Sequence, residues 1–405
     1  MIANARKNYF ISVATELNSN PKRFWSLFKY ASKKSSLPQR MTLKSSDNDN
    51  TTAADDPNSI ADLFNTFFAS VFHQDQTHPA NETTITDENS LTDIELTVDD
   101  ILPLLHSLNE HKATGPDGIS NKILKETAEQ IAPSLCLLFN LSLRSVSLPD
   151  DWKISNIVPV FKKGKRDHVS NYRPISLLSN ISKVLERCVL VKTRDHLLQY
   201  VSDNQHGFIP GRSCTTQLVQ VLECIGQQLD NGKQTDIIYL DMSKAFDRVR
   251  HDVLLDKLQN INIRGNLHSW FSSYLSGRKQ RVTVPGGTSS SLAVTSGVPQ
   301  GSILGPVLFL LYVNDIHDTV IASSVSYFAD DTKLFKTINN QTDANLLQND
   351  LNNLSTWSTS SGLNFSELKT NCQTVTRKRS PLIHEYAVNG KPIGRLDEER
   401  DLGVR

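Results

Sequence analysis

Two stretches of this 405-residue chain place carboxylates where local structure alone would not put them. Asp236-Ile-Ile-Tyr-Leu-Asp241 reads as a buried strand that ends in an acid, although Asp is depleted in strands. Tyr327-Phe-Ala-Asp330-Asp331 sets two adjacent acids between two short apolar runs, the pattern of a hairpin tip. If the strand of Asp241 lies beside that hairpin, two or three carboxylates converge. Burying such acids unpaired is strongly disfavoured, and a shared divalent cation resolves their repulsion. Hard oxygen ligands together with substrate phosphates suit Mg²⁺. Two ions about 3.5–4 Å apart are the arrangement for in-line phosphoryl transfer. Each piece also has a plainer reading. Asp favours turns for local reasons, and Asp247 fits a surface acid, a salt-bridge partner or a packing residue as well as a ligand.

The elements that must position these acids are short and mixed. Runs at 154–161, 237–240, 325–328 and 332–335 read as strands, and stretches such as 181–198 and 215–229 read as helices between them. There is no regular strand–helix–strand rhythm and no internal repeat, so an α+β fold is expected rather than a doubly wound sheet. Upstream, Asn20-Pro21 resembles a helix start followed by an apolar stripe of Phe24, Trp25, Leu27 and Phe28. Residues 45–55 are polar and free of aromatics, which predicts a loop. Asp56-Pro57 looks like another helix start, with Ile60, Leu63, Phe64, Phe67, Phe68, Val71 and Phe72 at helical spacing. Thr97 and Asp100 form a capping box for a helix that must tolerate Pro103. Lys112-Ala-Thr-Gly-Pro-Asp-Gly118 is dense in turn formers, and 133–143 reads as helix.

Composition bounds the class. Hydrophobic residues make up 38% and charged residues 21%, and the mean hydropathy is −0.34, which argues against an integral membrane protein. The longest apolar run, 303–313, is interrupted by Gly305 and Pro306 and is far short of the roughly 20 residues of a membrane span. No secretory signal core is visible at the N-terminus. The five scattered cysteines form no CxxC pair, which fits a reducing, intracellular setting. The net charge of zero conceals a segregated layout: residues 1–40 carry +7, residues 41–100 carry −12, and the remainder +5. Separate charged surfaces suggest separate partners, with a solvated linker the simpler account of the acidic stretch.

Beyond the acids, the chain carries an ordered series of blocks that resembles the reverse transcriptase of non-LTR (LINE-type) retrotransposons, jockey-like elements in particular. Residues 112–119 are similar to the segment ahead of the fingers. Ile157-Val-Pro-Val-Phe-Lys-Lys-Gly164 and Asn171-Tyr-Arg-Pro-Ile-Ser-Leu-Leu178 resemble two fingers motifs, and Gln205-His-Gly-Phe-Ile-Pro-Gly-Arg-Ser213 the next block. Asp241-Met-Ser-Lys-Ala-Phe-Asp247, Ser296-Gly-Val-Pro-Gln-Gly-Ser-Ile-Leu-Gly-Pro306, Phe328-Ala-Asp-Asp331 and Gly362-Leu-Asn-Phe-Ser-Glu-Leu-Lys-Thr370 look like the four palm motifs. The resemblance covers about residues 105–405, and seven or eight blocks in order are far more specific than any one of them.

The resemblance implies an RNA-directed DNA polymerase with two Mg²⁺ or Mn²⁺ ions, an RNA template, a DNA primer and dNTP. No stable protein partner is implied, and the setting would be the nucleus or cytoplasm. It implies a right-hand fingers-and-palm architecture with a ferredoxin-like palm sheet and a helical N-terminal extension. The expected divisions are 1–95 (extension), 96–142 (pre-fingers helices) and 143–405 (polymerase domain). The chain stops at Asp401-Leu-Gly-Val-Arg405, so no thumb is expected, and Asp401 stands where the family usually has Tyr. Asp241 and Asp330 would hold both ions, with Asp331 as a third ligand. Lys162 or Lys163 and Arg173 would clamp the triphosphate, since charged donors stabilise a transferring phosphoryl group. They lie with Lys165 and Arg166 in a segment whose only acid is Asp167, which is equally the composition of a solvated loop. Phe246 would lie beneath the sugar and exclude a 2′-OH, or serve as core, or both. That position disfavours an RNA-templated RNA polymerase. Gln300 would face the template base or nucleotide, with Gly297, Gly301 and Gly305 allowing close backbone approach. Lys369 would donate a proton to pyrophosphate, or be a surface lysine. Gly277-Arg-Lys-Gln-Arg281 would face phosphate. The alternative function is a truncated, non-catalytic nucleic-acid-binding remnant.

Overall fold

The computed structural model describes residues 37–44, 51–73, 89–367, 369–399 and 401–403. The helix start at Asn20-Pro21 and its aromatic stripe lie outside the described residues. Two five-stranded sheets organise the rest. The first is built on β3 (Ile154–Phe161), which pairs antiparallel with β4 (Tyr172–Leu177) and parallel with β6 (Lys279–Val284); the two-residue strands Gly287–Thr288 and Leu292–Ala293 extend β6. The second is centred on β5 (Gln234–Asp241), flanked by β8 (Asp331–Ile338) and β9 (Asn371–Thr376), both antiparallel to it. β7 (Ser324–Phe328) and β10 (Gly394–Leu396) form the edges of that second sheet.

The second sheet is covered on both faces. Ile238 and Leu240 of β5 enter the main core with Trp270, Phe309, Leu334 and Leu354. Ile237 turns the other way, to Val221 and Ile225 of helix α6 (Cys214–Asp230), as the two-residue period of a strand requires. The same main core takes in α2 (Val98–His106), α3 (Asn121–Glu126), α4 (Ala128–Arg144) and α5 (Asn180–Leu198). Helix α2 begins at the expected capping box, with the Thr97 backbone N–H donating to Asp100 at 2.8 Å, and it accommodates Pro103.

A smaller core sits under the first sheet. Helix α1 (Pro57–Ala69) starts where Asp56 accepts from the backbone of Asn58 and Ser59. It buries Ile60, Phe64 and Phe68 against Ile157, Tyr172 and Val282. Of the expected loop at 45–55, residues 45–50 lie outside the described residues and the rest is mostly strand. Thr51–Ala54 is a strand (β2) paired with β1 (Met41–Lys44). Met41, fully buried in this small core, fixes one strand, and the threonines of the exposed partner are good strand formers. Polarity hid the strand because it sits at an exposed edge.

Candidate functional site

The register of the central sheet brings the acids together. Asp241, last residue of β5, lies directly opposite Asp331, first residue of β8. Cβ atoms of such a pair are about 4.5–5.5 Å apart, and like charges so placed are destabilising. β8 also pairs with β7, Asp331 opposite Phe328, so Ala329 and Asp330 form the two-residue tip. Ala329 has φ +56°, the left-handed conformation that a tight hairpin demands. Burial, followed by the charge of Asp241, raises the Asp330 carboxyl above the usual range. Burial and then the charges of Asp330 and Asp241 push Asp331 up to about 6.

A third segment docks on the end of β5. The N–H of Ser366 donates to the Asp241 carbonyl at 2.8 Å, and that of Ser243 to Asn364 at 3.0 Å. Those bonds carry Lys369 to the acids, where its Nζ pairs with Asp241 Oδ2. Among the described residues no three carboxylate, imidazole or thiol groups form a closed metal-binding cluster. The donor set still fits a hard cation. It is all carboxylate oxygen, carries excess negative charge, and opens on a cleft, and Mg²⁺ is usually held by one or two carboxylates plus substrate phosphates.

That cleft, of about 770 Å³, gathers nearly every residue singled out in the sequence. Asp241, Asp330, Asp331 and Lys369 line its floor, and Lys162, Lys163, Arg173, Phe246 and Gln300 complete it. Lys162 and Lys163 occupy the turn after β3, where the Lys162 N–H donates to the Asn171 carbonyl at 2.8 Å. Arg173 follows on β4, opposite Val160. Burial, then the nearby Arg173 and Lys369, lowers the Lys162 amine, so this end of the cleft holds clustered positive charge. Phe246 stacks on Phe309 with centroids 4.4 Å apart and meets the edge of Phe208 at 6.2 Å. It therefore faces the cleft and packs against the core.

Gln300 reaches the cleft because its backbone is pinned from behind. Its carbonyl accepts from Ser176 N–H at 2.8 Å. Gly301 has φ +125°, and a Cβ there would lie 2.5 Å from the Ser176 carbonyl oxygen, so only glycine fits. Gly301 itself borders a neighbouring cavity with Lys183 and Arg187. Sequence reasoning missed Glu186, which is fully buried on α5. Its Oε2 accepts from Ile303 N–H at 2.7 Å, Leu304 N–H at 3.2 Å and Tyr274 OH at 3.2 Å. A charged residue inside an apolar helical pattern was the available signal.

Other residues lie differently from the expectation. Arg278 does not face phosphate: it is buried and donates to the Tyr274 carbonyl at 2.9 Å. Gln280 is also buried, donating to Asn65 at 3.0 Å. Strand alternation turns this pair inward and leaves Lys279 exposed. Phe67, Phe72, Lys244 and Arg248 also line the cleft. The aromatic stripe of α1 was legible as a buried face, but its partner was not. Asp247 is half-buried at the same wall, and its loss of solvent pushes the carboxyl up to about 6. Among the described residues no helix is long and apolar enough to cross a membrane.

Residues 161–386 match the family described as reverse transcriptase (RNA-dependent DNA polymerase). The chain is 33% identical over 222 residues to the probable RNA-directed DNA polymerase from transposon BS of Drosophila melanogaster, covering 54% of this chain and 24% of that protein. It is 32% identical over 306 residues to the probable polymerase from the X-element of the same fly, 73% of this chain and 33% of the relative. For the polymerase from mobile element jockey of Drosophila melanogaster the figures are 29% over 327 residues, 76% and 35%. The chain thus spans about a quarter to a third of the length of these relatives. The family match runs from the strand end before Lys162 to Tyr386, takes in all three acids and covers more than half of the chain; the chain belongs to the reverse transcriptase family.

Proposed function

We propose that this chain is the polymerase segment of a non-LTR retrotransposon protein, adding deoxynucleotides to a primer 3′-OH on an RNA template. One observation carries the reading: the register that sets Asp241 opposite Asp331, with Asp330 at the hairpin tip, in a cleft walled by Lys162, Arg173 and Gln300. In this reading the sheet centred on β5 is the palm and the β3 sheet the fingers. Asp241 and Asp330 would hold two Mg²⁺ or Mn²⁺ ions, with Asp331 as a further ligand. When bound, such ions supply Lewis-acid stabilisation of the attacking and leaving oxygens.

The chain's own side chains do the rest. Arg173 and a lysine of the 162/163 pair bind the triphosphate as charged donors and orient it over the acids. Lys369 holds a proton beside Asp241, at the end of the cleft where pyrophosphate would leave. Phe246 forms the wall under the sugar, and Gln300 lies against the nucleotide or template base. Such work belongs inside the cell, in the nucleus or cytoplasm. Primer extension on an RNA template with Mg²⁺ tests the proposal. Incorporation of dNTP is the expected result; template binding with no incorporation would instead identify a nucleic-acid-binding remnant.

A further inference from the structure

The segment Gln205-His-Gly-Phe has no role in the chemistry above, yet it is bolted to the hairpin that carries Asp330. Tyr327 N–H donates to the Asn204 carbonyl at 3.0 Å, and His206 N–H donates to the Tyr327 carbonyl at 2.9 Å. Beyond this short ladder, the fully buried Gln205 reaches the tip itself. Its Oε1 accepts from Ala329 N–H at 2.9 Å and from Gly207 N–H at 2.7 Å. Its Nε2 is buried and has no partner among the described residues. An orphaned donor costs stability, and it persists here because the oxygen is aimed at the turn. Gly207 closes the contact: a Cβ on it would lie 2.5 Å from the Ala329 nitrogen.

The segment is rigid in its own right. Arg212 donates through Nη1 to the carbonyls of Ser202, Asp203 and Gln205, at 3.1, 3.2 and 2.7 Å. The His206 ring is held between Thr216 at 2.9 Å and Gln220 at 2.7 Å on α6. Ala329, by contrast, sits in a left-handed conformation that a non-glycine residue adopts only when its surroundings impose it. The Gln205 hydrogen bond is the side-chain contact that imposes it from outside the hairpin.

We propose that Gln205 is a positioning residue for nucleotide transfer, holding the Ala329–Asp330 turn so that the Asp330 carboxylate faces Asp241 and Asp331. The inference rests on the polymerase reading. Gln205 touches no reacting atom; it acts through Asp330. Displacing a reacting group by about 1 Å can cost on the order of 10²-fold in rate.

Single-turnover incorporation of one dNTP, on an RNA template and DNA primer, should be compared for the parent, Gln205→Met and Gly207→Ala. Both variants are expected to lose about 10- to 100-fold in maximal rate, with the KM for dNTP and the affinity for primer–template unchanged. Mn²⁺ titration followed by electron paramagnetic resonance should show weaker binding in both variants. In the parent, amide exchange at Ala329 should be slow. Parent-like rates and parent-like Mn²⁺ binding in folded Gln205→Met would overturn the proposal, as would a loss shared equally by KM and template affinity. Should neither variant fold, fast exchange at the parent's Ala329 amide overturns it and slow exchange supports it. A parent that incorporates nothing defeats the polymerase reading alone, and Mn²⁺ binding with Ala329 exchange then decides the positioning role.

Discussion

Strand β5 has an aspartate near each end, and the two could hardly be treated more differently. Asp236 has no exposure at all. Its Oδ1 accepts from Gln234 at 3.0 Å and Thr374 at 2.8 Å, its Oδ2 from Tyr386 OH at 2.9 Å, and Arg395 lies 3.8 Å away. Both oxygens that burial strips of water have partners in the protein. Asp241, five residues on, is partly open. It faces Asp331 across the ladder and pairs with the Nζ of Lys369. One carboxylate is complete within the fold; the other lies open on the cleft, paired with Lys369 alone among the ion pairs of the described residues. The residue type is the same, but five residues of strand set the two on opposite faces, so burial and partners separate an aspartate complete within the sheet from one left open at its end.

The comparison can be broken at several points. The largest effect is expected at the open end: Asp330→Asn should cut incorporation by at least roughly 10²–10³-fold, the cost of losing one preorganised charge-stabilising group. It should leave the melting temperature unchanged or raised, because a like charge is removed. Steady-state incorporation alongside thermal unfolding checks both. At the closed end, Asp236→Ala should destabilise the fold by about 3–5 kcal/mol, since it removes the partner of the buried Tyr386 hydroxyl and the carboxylate beside Arg395. Denaturant unfolding measures this, and activity per folded molecule should hold.

Phe246 belongs to both worlds, facing the cleft while stacked on Phe309. Phe246→Ala should lower the preference for dCTP over CTP, read as a ratio of kcat/KM. The change should exceed the roughly 10²-fold that an apolar pocket alone achieves against an added hydroxyl. A stability loss below the 3–5 kcal/mol of a fully buried Phe→Ala is expected with it. If stability falls and the ratio does not move, the ring is packing only.

The smallest effect is expected at Asp247. Burial pushes its carboxyl from 3.8 to about 6, so the folded state binds the proton more tightly than the unfolded state. Its favourable contribution is complete below about pH 4 and is lost as pH rises through about 6. Asp247→Asn should therefore stabilise the protein at pH 7.5 by roughly 1–2 kcal/mol, and give no gain at pH 4. Melting curves at the two pH values read the difference directly.

Much of this was legible in the sequence alone. The strand ending at Asp241 and the tip at Asp330 were marked by acids in apolar runs, and Pro-Gln-Gly by its glycines. What the sequence could not display were partners brought from afar. Asp236 and Asp241 look alike until Tyr386 and Arg395 arrive from 150 and more residues away. The α1 stripe showed a buried face without showing that Phe67 and Phe72 would wall the cleft. The Arg278 cluster looked like a phosphate contact because composition carries no side, and the pleat decided which arginine turned inward.

The most direct test sets the two ends of β5 against each other in one experiment: single-dNTP incorporation on an RNA template by Asp241→Asn and Asp236→Asn, each normalised to folded protein. If the open aspartate is the one that serves nucleotide transfer, Asp241→Asn loses at least roughly 10²-fold in kcat at parent-like stability, while Asp236→Asn loses stability and keeps its rate per folded molecule. Parent-like incorporation by a folded Asp241→Asn variant would contradict it.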